Sequence, residues 1–326
     1  MSEVLVSVWM ITYNHEKYIS QALESILMQK SNYDVEVVIG EDYSTDQTRK
    51  IIQEYEKKYP TIIKPIYHKE NVGAIRNAFE FCLPKLKGKY IACLEGDDYW
   101  TDPNKIQKQV DFLENHPDYG LVHSDADYLY EKENRLVRNY NRTNNIVIPQ
   151  GNIFFDLISP DFPMLIKTAT SIIRKNIVDK HFDFRIALDR KWKLTDLPLY
   201  IEIAYYSKIH YMDESMAIYR LNEESASRTS SAVKQYEFHK SVFDIYEYYC
   251  DKYSINKEIK RKLTIRFNKA MLNNAYKIRN VSLAKKSYNY LKSNGTALSK
   301  KEIILYLGTI NNFFRYIIEF LRKNTR

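Results

Sequence analysis

Short apolar runs alternate with amphipathic stretches along the first part of the chain. The runs at 4–11, 35–40 and 90–94 are nearly continuous, as in strands buried on both faces of a parallel sheet. Between the first two, apolar residues recur at helical spacing, at Ile19, Ala22, Leu23, Ile26 and Leu27. Further patterns predict strands at 62–68 and 119–130 and helices at 74–86 and after 103. The alternation predicts an α/β fold with a mostly parallel sheet flanked by helices.

Two helix starts are predicted from capping residues. Ser44 and Gln47 have the spacing of a capping box, and Pro60 marks the end of the helix that follows. Asp102 and Pro103 have the residue types of an N-cap and a first helical position.

Beyond about residue 230 the pattern changes to helices alone. We therefore expect an α/β domain over 1–230, divided into a ligand-binding half (1–125) and a second half (126–230), and a helical region over 231–326. In open α/β sheets, ligands bind outside the carboxyl ends of the strands. The polar segments TYNHE, EDYSTD and EGDDYW each follow a predicted strand, so this edge is the predicted site.

Composition excludes several classes of protein. The chain has 326 residues and 44% hydrophobic content, which fits a globular protein with a core. Its three cysteines form no CxxC motif, which argues against a disulfide framework or a zinc site and favours a reducing cytoplasm. The N-terminal residues resemble a first strand rather than a signal peptide. No apolar run approaches the roughly 20 residues that span a bilayer.

The charge is unevenly distributed. Residues 231–326 contain 20 Lys and Arg against 7 Asp and Glu, a net charge of +13, so the net charge of +8 leaves −5 for the first 230. A basic region favours an anionic partner such as phospholipid headgroups, although solvated helix faces explain it equally well. We expect peripheral contact with the inner face of the cytoplasmic membrane, or a homo-oligomer, through 231–326, and no nucleic acid partner.

The segment EGDDYW contains the most specific chemistry. Glu95, Asp97 and Asp98 follow a buried strand, and Gly96 permits a tight turn among them. Crowded carboxylates suit a hard cation such as Mn²⁺ or Mg²⁺, whose open positions phosphate oxygens can fill. The alternative is an acid-rich helix start, which accounts for Asp102 but not for Asp97 and Asp98.

A second acidic pair, Glu41 and Asp42, ends the predicted strand at 35–40. A carboxylate in this position can accept a hydrogen bond from a nucleobase N–H or a ribose hydroxyl. Ser44 and Asp46 fit better as residues that cap the following helix.

The order of these motifs, with NVGAIRNAFEFC between the two acidic segments, resembles the nucleotide-binding half of family 2 inverting glycosyltransferases with a GT-A fold. The resemblance covers about the first 125 residues. It implies a metal-dependent transfer of a hexosyl or N-acetylhexosaminyl group from a nucleotide-sugar donor, usually a UDP-sugar, to a glycan or lipid-linked acceptor in bacterial polysaccharide biosynthesis.

The resemblance also implies roles for individual residues. Asp97 corresponds to the metal-ligating acid of the DxD motif, in which Glu95 replaces the usual first aspartate and Asp98 shares the work. Asp42 is the implied contact to the base, and the full set of implied donor-binding residues is Thr12, Tyr13, Asp42, Asn71, Gly73, Arg76, Glu95 and Asp98.

On the acceptor side, the segment that begins WKLTDLPLY resembles the family's region containing the catalytic base, which corresponds to Asp196. The alternative is that Asp196 only caps a helix. The family's YR motif is commonly followed by a histidine, whereas Leu221 and Asn222 follow Arg220 here. A second interpretation of the whole chain is therefore a catalytically weak sugar-nucleotide-binding or scaffolding protein. Nucleotidyl transfer is disfavoured because no glycine-rich loop follows the first strand.

Overall fold

The structure is a computed structural model that describes residues 5–159, 166–221 and 231–324. Nine strands form one sheet in the order β3-β2-β1-β4-β8-β6-β9-β5, with β7 paired to β6. The strands are β1 (Leu5–Thr12), β2 (Asp34–Glu41), β3 (Ile63–Tyr67), β4 (Tyr90–Cys93), β5 (Tyr99–Trp100), β6 (Tyr119–Tyr130), β7 (Arg135–Val137), β8 (Ile172–Arg174) and β9 (Lys208–Leu221).

Among the described residues up to 221, eight α-helices lie between the strands or within their connections. They are α1 (Ile19–Leu27), α2 (Thr48–Lys58), α3 (Lys105–Asn115), α4 (Tyr140–Thr143), α5 (Phe154–Ile158), α6 (Lys175–His181), α7 (Arg185–Asp189) and α8 (Asp196–Tyr206). The helix predicted at 74–86 is mainly a π-helix, Arg76–Cys82, followed by a 3₁₀ turn.

The first half of the sheet is parallel, as predicted. Strand β1 pairs with both β2 and β4, and β2 pairs with β3, all in parallel register. Thr12 lies opposite Glu41, so the carboxyl ends of β1 and β2 meet at one edge. The turn that contains the acidic cluster follows β4 at this same edge and leads into β5.

The second half of the sheet is mixed. Strand β8 runs antiparallel between β4 and β6, and β9 runs parallel to β6. Strand β5 pairs antiparallel with the C-terminal part of β9, where Tyr99 lies opposite Ile218. This pairing attaches the acidic turn to the end of β9.

Apolar side chains of the sheet and its helices form one large core. Val8, Met10 and Ile39 of the sheet are fully buried, as are Leu23 of α1 and Val110 of α3. The helical spacing of α1 and α3 places these apolar side chains on one face, which explains why both helices pack on the sheet.

Both predicted helix starts are wrong in detail. Helix α2 begins at Thr48 without a capping box, because the Ser44 hydroxyl accepts from the Asn14 N–H (3.0 Å) instead. Helix α3 begins at Lys105 with Asn104 at its N-cap position, and the Asp102 carboxylate accepts from the Asn104 N–H (2.8 Å). At Ser44 a contact with a neighbouring loop replaces the local cap, whereas Asp102 keeps a local hydrogen bond two residues along the chain.

The chain divides into two compact units, residues 1–157 with 162–222 and residues 158–161 with 223–326. The described part of the second unit contains five further helices: α9 (Ala232–Lys252), α10 (Lys257–Ile278), α11 (Val281–Ser293), α12 (Lys300–Ile310) and α13 (Asn312–Asn324). Among the described residues, no helix has both the length and the apolar character needed to cross a membrane.

Candidate active site

Three carboxylates converge on the turn between β4 and β5. One oxygen from each of Glu95, Asp97 and Asp98 can be chosen so that all three lie within 4.8 Å of one another. Asp98 is buried, and its Oδ1 accepts a hydrogen bond from the Arg220 N–H (2.7 Å). Its Oδ2 is buried without a hydrogen-bond partner among the described residues. An orphaned carboxylate oxygen next to two more acids fits a site for a hard divalent cation.

The electrostatics of the turn support this conclusion. Burial, together with the charges of Asp97 and Asp196, raises the pKa of Glu95 to about 8. Burial and the charges of Asp97 and Glu95 also raise the pKa of Asp98 well above its ordinary value. The three carboxyl groups therefore resist simultaneous ionisation, and a bound cation would favour their ionised forms.

Arg220, at the end of β9, fixes the geometry of the acidic turn. Its N–H reaches Asp98, and its guanidinium donates to the Asp97 carbonyl (2.7 Å) and to Gln21 Oε1 (2.8 Å). It also forms an ion pair with Glu131 and lies over the ring of Tyr18. One buried side chain therefore connects the turn with two other segments, the start of α1 and the residue after β6. The sequence marked Arg220 only as part of the YR motif.

Thr12 lies directly against the turn. A Cβ atom on Gly96 would lie 2.7 Å from Thr12 Oγ1 and 2.8 Å from His15 Nδ1, so only glycine permits this approach. Both of those polar atoms are buried without a hydrogen-bond partner among the described residues. The neighbouring Tyr13 side chain is 42% exposed. The strand-one turn thus combines unsatisfied polar atoms with an accessible aromatic ring beside the acids.

Three of the predicted donor-binding residues form one contact group. The Asp42 carboxylate accepts from the Val72 N–H (2.7 Å) and the Gly73 N–H (3.0 Å), while the Asn71 amide donates to the Asp42 carbonyl (3.2 Å). Burial nevertheless raises the pKa of Asp42. Gly73 has φ +83°, a conformation that favours glycine.

Two other residues near this group have partners within the fold. Arg76 is exposed and pairs with Glu80 on its own helix (2.8 Å). Glu41 is completely buried, where it pairs with Arg49 and accepts from the Ser44 N–H (2.6 Å). Glu41 is therefore committed to holding the loop after β2, which leaves Asp42 as the candidate of the pair.

Asp196 occupies the first turn of α8. Its Oδ1 accepts from the Leu197 N–H (2.7 Å), so it contributes to the helix start as the alternative interpretation predicts. It also lines a cavity of about 30 Å³ together with Glu95, Cys93, Thr168 and Tyr200. Burial raises the pKa of the Asp196 carboxyl, and a raised pKa makes a carboxylate a stronger base. Capping and a chemical role are therefore compatible.

Sequence reasoning missed Lys167 and Thr168. Thr168 Oγ1 donates to Glu95 Oε2 (3.3 Å). The Lys167 ammonium lies 4.7 Å from the ring centre of Tyr219. Its positive charge offsets part of the rise that burial causes in the pKa of Glu95 and of Asp196. Lys167 is thus a cationic group in an otherwise acidic site. No local motif marks either residue, because Glu95 lies more than seventy positions earlier in the chain.

A buried polar layer contacts the segment 167–170, which contains Lys167 and Thr168. Lys105 is completely buried, donates to Gln109 Oε1 (2.8 Å) and lies 4.6 Å from the Trp100 ring centre. Gln109 donates to the Thr170 carbonyl (2.9 Å), and Trp100 Nε1 donates to the Ala169 carbonyl (2.8 Å). Burial lowers the pKa of Lys105 to about 7. The layer fixes the backbone that follows Thr168.

The site therefore combines the acidic turn, Thr12 and Asp196 around neighbouring strand ends, with Asp42, Asn71 and Gly73 forming a group at the end of β2. The question raised by Asn222 stays open, because this residue lies outside the described residues.

Solved structures with the same architecture identify the fold. S. aureus TarS 1–349, in complex with UDP-GlcNAc, is 18% identical with a TM-score of 0.52, over 94% of this chain and 80% of that one. The mannosyltransferase PcManGT from Pyrobaculum calidifontis, in complex with GDP-Man and Mn²⁺, is 14% identical with a TM-score of 0.53, over 95% and 82%. The fold is that of the GT-A glycosyltransferases.

The family follows from the sequence. Residues 7–182, more than half of the chain, match the model of glycosyl transferase family 2, and the chain belongs to this family. The resemblance of the sequence to the family predicted this membership.

Curated relatives match over part of their length. An uncharacterized protein of Mycobacterium tuberculosis is 35% identical over 177 residues, 49% of this chain and 51% of that protein. An uncharacterized glycosyltransferase of Nostoc sp. is 27% identical over 237 residues, 69% of each. The chain spans about half the length of the first of these relatives.

Proposed function

We propose that the chain transfers a sugar from a nucleoside diphosphate donor, most simply a UDP-sugar, to a hydroxyl of a glycan or lipid-linked acceptor, with inversion at the anomeric carbon. The observation that carries this proposal is the orphaned Asp98 oxygen within the three-carboxylate turn, beside a cavity shared by Glu95 and Asp196. The chain's family supports the transfer, and the nucleotide sugars bound by TarS and PcManGT support the class of donor.

In this proposal the donor lies along the carboxyl ends of β1, β2 and β4. Thr12, Tyr13 and Asp42 hold the nucleobase. Asn71, Gly73 and Arg76 lie beside the ribose and diphosphate, which requires Arg76 to leave its exposed pairing with Glu80. An exposed ion pair costs little to break, so this requirement is modest.

Asp97 is the proposed principal metal ligand, with Glu95 and Asp98 in support. Carboxylate oxygens are the ligands that Mn²⁺ and Mg²⁺ prefer, and the Mn²⁺ bound by PcManGT supports this class of ion. When bound, such an ion neutralises charge on the departing diphosphate. Arg220 keeps the turn in place through the Asp97 carbonyl and the Asp98 carboxylate.

Asp196 is the proposed catalytic base, which removes the proton from the attacking acceptor hydroxyl. Its Oδ1 is oriented by the Leu197 N–H, and its environment raises its pKa. The Lys167 charge opposes that rise and so favours the ionised carboxylate that a base requires.

The experiment is a measurement of nucleoside diphosphate release from a panel of UDP- and GDP-sugars, with Mn²⁺, with Mg²⁺ or with a chelator. We expect release from at least one donor that stops on chelation and in Asp97→Ala. Asp102→Asn is the matched control, because Asp102 lies on the same stretch but pairs with Lys108. Metal-dependent donor binding without release would instead identify a catalytically weak sugar-nucleotide-binding protein.

A further inference from the structure

The second compact unit exposes an apolar face on α13. Phe313, Phe314, Tyr316 and Ile317 are 69%, 43%, 68% and 37% exposed. At about 100° per residue, these four side chains occupy an arc of roughly 160° on one side of the helix. Isolated exposed apolar residues are ordinary, whereas four on one helix face form an interaction surface.

The opposite side of α13 is packed. Arg315 donates to the Tyr276 carbonyl (3.0 Å) and lies over the Tyr276 ring. A Cβ atom on Gly308 would lie 2.6 Å from Ile318 Cδ1, so α12 and α13 are in close contact. The helix is therefore docked by one side, and its other side is exposed.

Exposed basic side chains lie on the two preceding helices, α11 and α12. Ile303 and Ile304 of α12 are also exposed, and Glu302 separates them from Lys300 and Lys301. Three further exposed lysines, Lys285, Lys286 and Lys292, lie on α11. None of these five lysines forms an ion pair with another described residue. From 285 to 326 the chain contains nine Lys and Arg against two Glu.

Charge distinguishes two candidate occupants of this surface, a second copy of the chain and a lipid bilayer. A second copy would bring another 231–326 region with a net charge of +13 to this surface, and the two would repel. A bilayer that contains anionic lipid offers opposite charge to the lysines and an apolar layer to the aromatic side chains. The short apolar face suits a helix that lies in the interface rather than one that spans it.

We propose that α11, α12 and α13 form a docking surface for an anionic lipid bilayer. In this surface Phe313, Phe314, Tyr316 and Ile317 enter the headgroup layer, and the five lysines contact the headgroups. The surface belongs to the second unit and does not depend on the proposed sugar transfer.

The test is flotation of the full chain with vesicles of phosphatidylcholine alone or mixed with phosphatidylglycerol. We expect binding to the mixed vesicles and little to the neutral ones. The double variant Lys300→Gln, Lys301→Gln should lower the partition coefficient by about fivefold per lysine. Phe313→Ser with Tyr316→Ser should lower it by at least about tenfold, including the fraction that resists high salt. Val233→Ser is the control, since Val233 is an exposed apolar residue on α9.

All the substituted side chains are exposed, so thermal unfolding should be unchanged and a loss of binding can be assigned to the surface. Absence of flotation with mixed vesicles would overturn the proposal, as would equal binding of the Phe313 and Tyr316 variant. A concentration-dependent dimer in sedimentation that this variant dissociates would assign the surface to a second copy instead.

Discussion

At the scale of single residues, Asp98 best shows how the site departs from an ordinary fold. A buried carboxylate normally satisfies both oxygens, yet among the described residues only Oδ1 of Asp98 has a hydrogen-bond partner, while Glu95 and Asp97 add further negative charge. Such a cluster destabilises the chain without a ligand and gains affinity for a cation. The fold is therefore less stable at this cluster than it could be, because the cluster serves to bind a ligand.

The first prediction concerns Asp97→Asn. Removal of one charge from the cluster should raise the free energy of unfolding of the metal-free protein by about 1 kcal/mol. Mn²⁺ with UDP should raise the melting temperature of the unsubstituted protein but not of this variant. Differential scanning fluorimetry with and without Mn²⁺ measures both effects. Asp102→Asn should retain the ligand-induced shift, and an equal shift in Asp97→Asn would contradict the assignment of the metal ligand.

Single residues were predictable from sequence where the chemistry is local. Asp97, Asp42 and Gly73 follow strands in recognisable segments, and the structure gives each a contact group at a strand end. Lys167 and Thr168 were not predictable, because their importance comes from contacts with residues distant in sequence.

At the scale of elements, the end of β9 holds the acidic turn through Arg220. The guanidinium contacts the turn, α1 and the residue after β6, so several segments depend on one side chain. Arg220 does not need to touch the donor to influence it, and we regard it as a positioning residue.

The second prediction follows from this role. Arg220→Lys retains the charge but loses the forked geometry, so the acidic turn should be held less firmly. The Mn²⁺ concentration for half-maximal donor hydrolysis should rise at least tenfold, while the rate at saturating Mn²⁺ falls less. A metal titration of activity measures both quantities. Arg135→Lys, an exposed arginine paired with Glu133, is the control. An unchanged metal requirement in folded Arg220→Lys would reject the positioning role.

The third prediction concerns the contact of α3 with the loop after Thr168. Lys105 has a pKa lowered by burial from 10.5 to about 7, so between about pH 7 and 10 the unfolded chain binds more protons than the folded one. Stability therefore rises with pH in this window, by up to about 1.4 kcal/mol per pH unit. The Lys105→Met variant should lack this rise in stability with pH.

Urea unfolding at pH 7 and pH 9 tests that prediction. The unsubstituted protein should gain stability relative to Lys105→Met as the pH rises, while Lys64→Met, at an exposed lysine, should behave like the unsubstituted protein. Parallel pH dependences for all three would show that Lys105 titrates normally.

Helix starts illustrate the limit of element prediction. Ser44 has the residue type and spacing of a cap, but its hydroxyl is used by the Asn14 N–H from the strand-one turn. The Asp102 carboxylate accepts hydrogen bonds from the Asn104 N–H and from the Lys108 ammonium. The helical periodicity predicted the helices correctly because buried apolar faces specify it. Caps are harder to predict, because they depend on competition with neighbouring loops.

At the scale of the whole molecule, the parallel half of the sheet was predictable because continuous apolar runs and helical faces alternate there. The mixed half was not, since β8 has only three residues and β5 only two, and their positions depend on pairing with β4 and β9. The acidic turn joins the two halves, which is why the site required the tertiary structure to complete it.

The central claim is that Asp196, beside the metal-binding turn, removes a proton during sugar transfer. The most direct measurement compares donor hydrolysis and donor affinity in Asp196→Asn and in the unsubstituted protein, with Asp189→Asn as an exposed control. We predict a rate about 10²–10⁴-fold lower with donor affinity nearly unchanged, because only the proton transfer is lost. A normal rate in Asp196→Asn would contradict the claim.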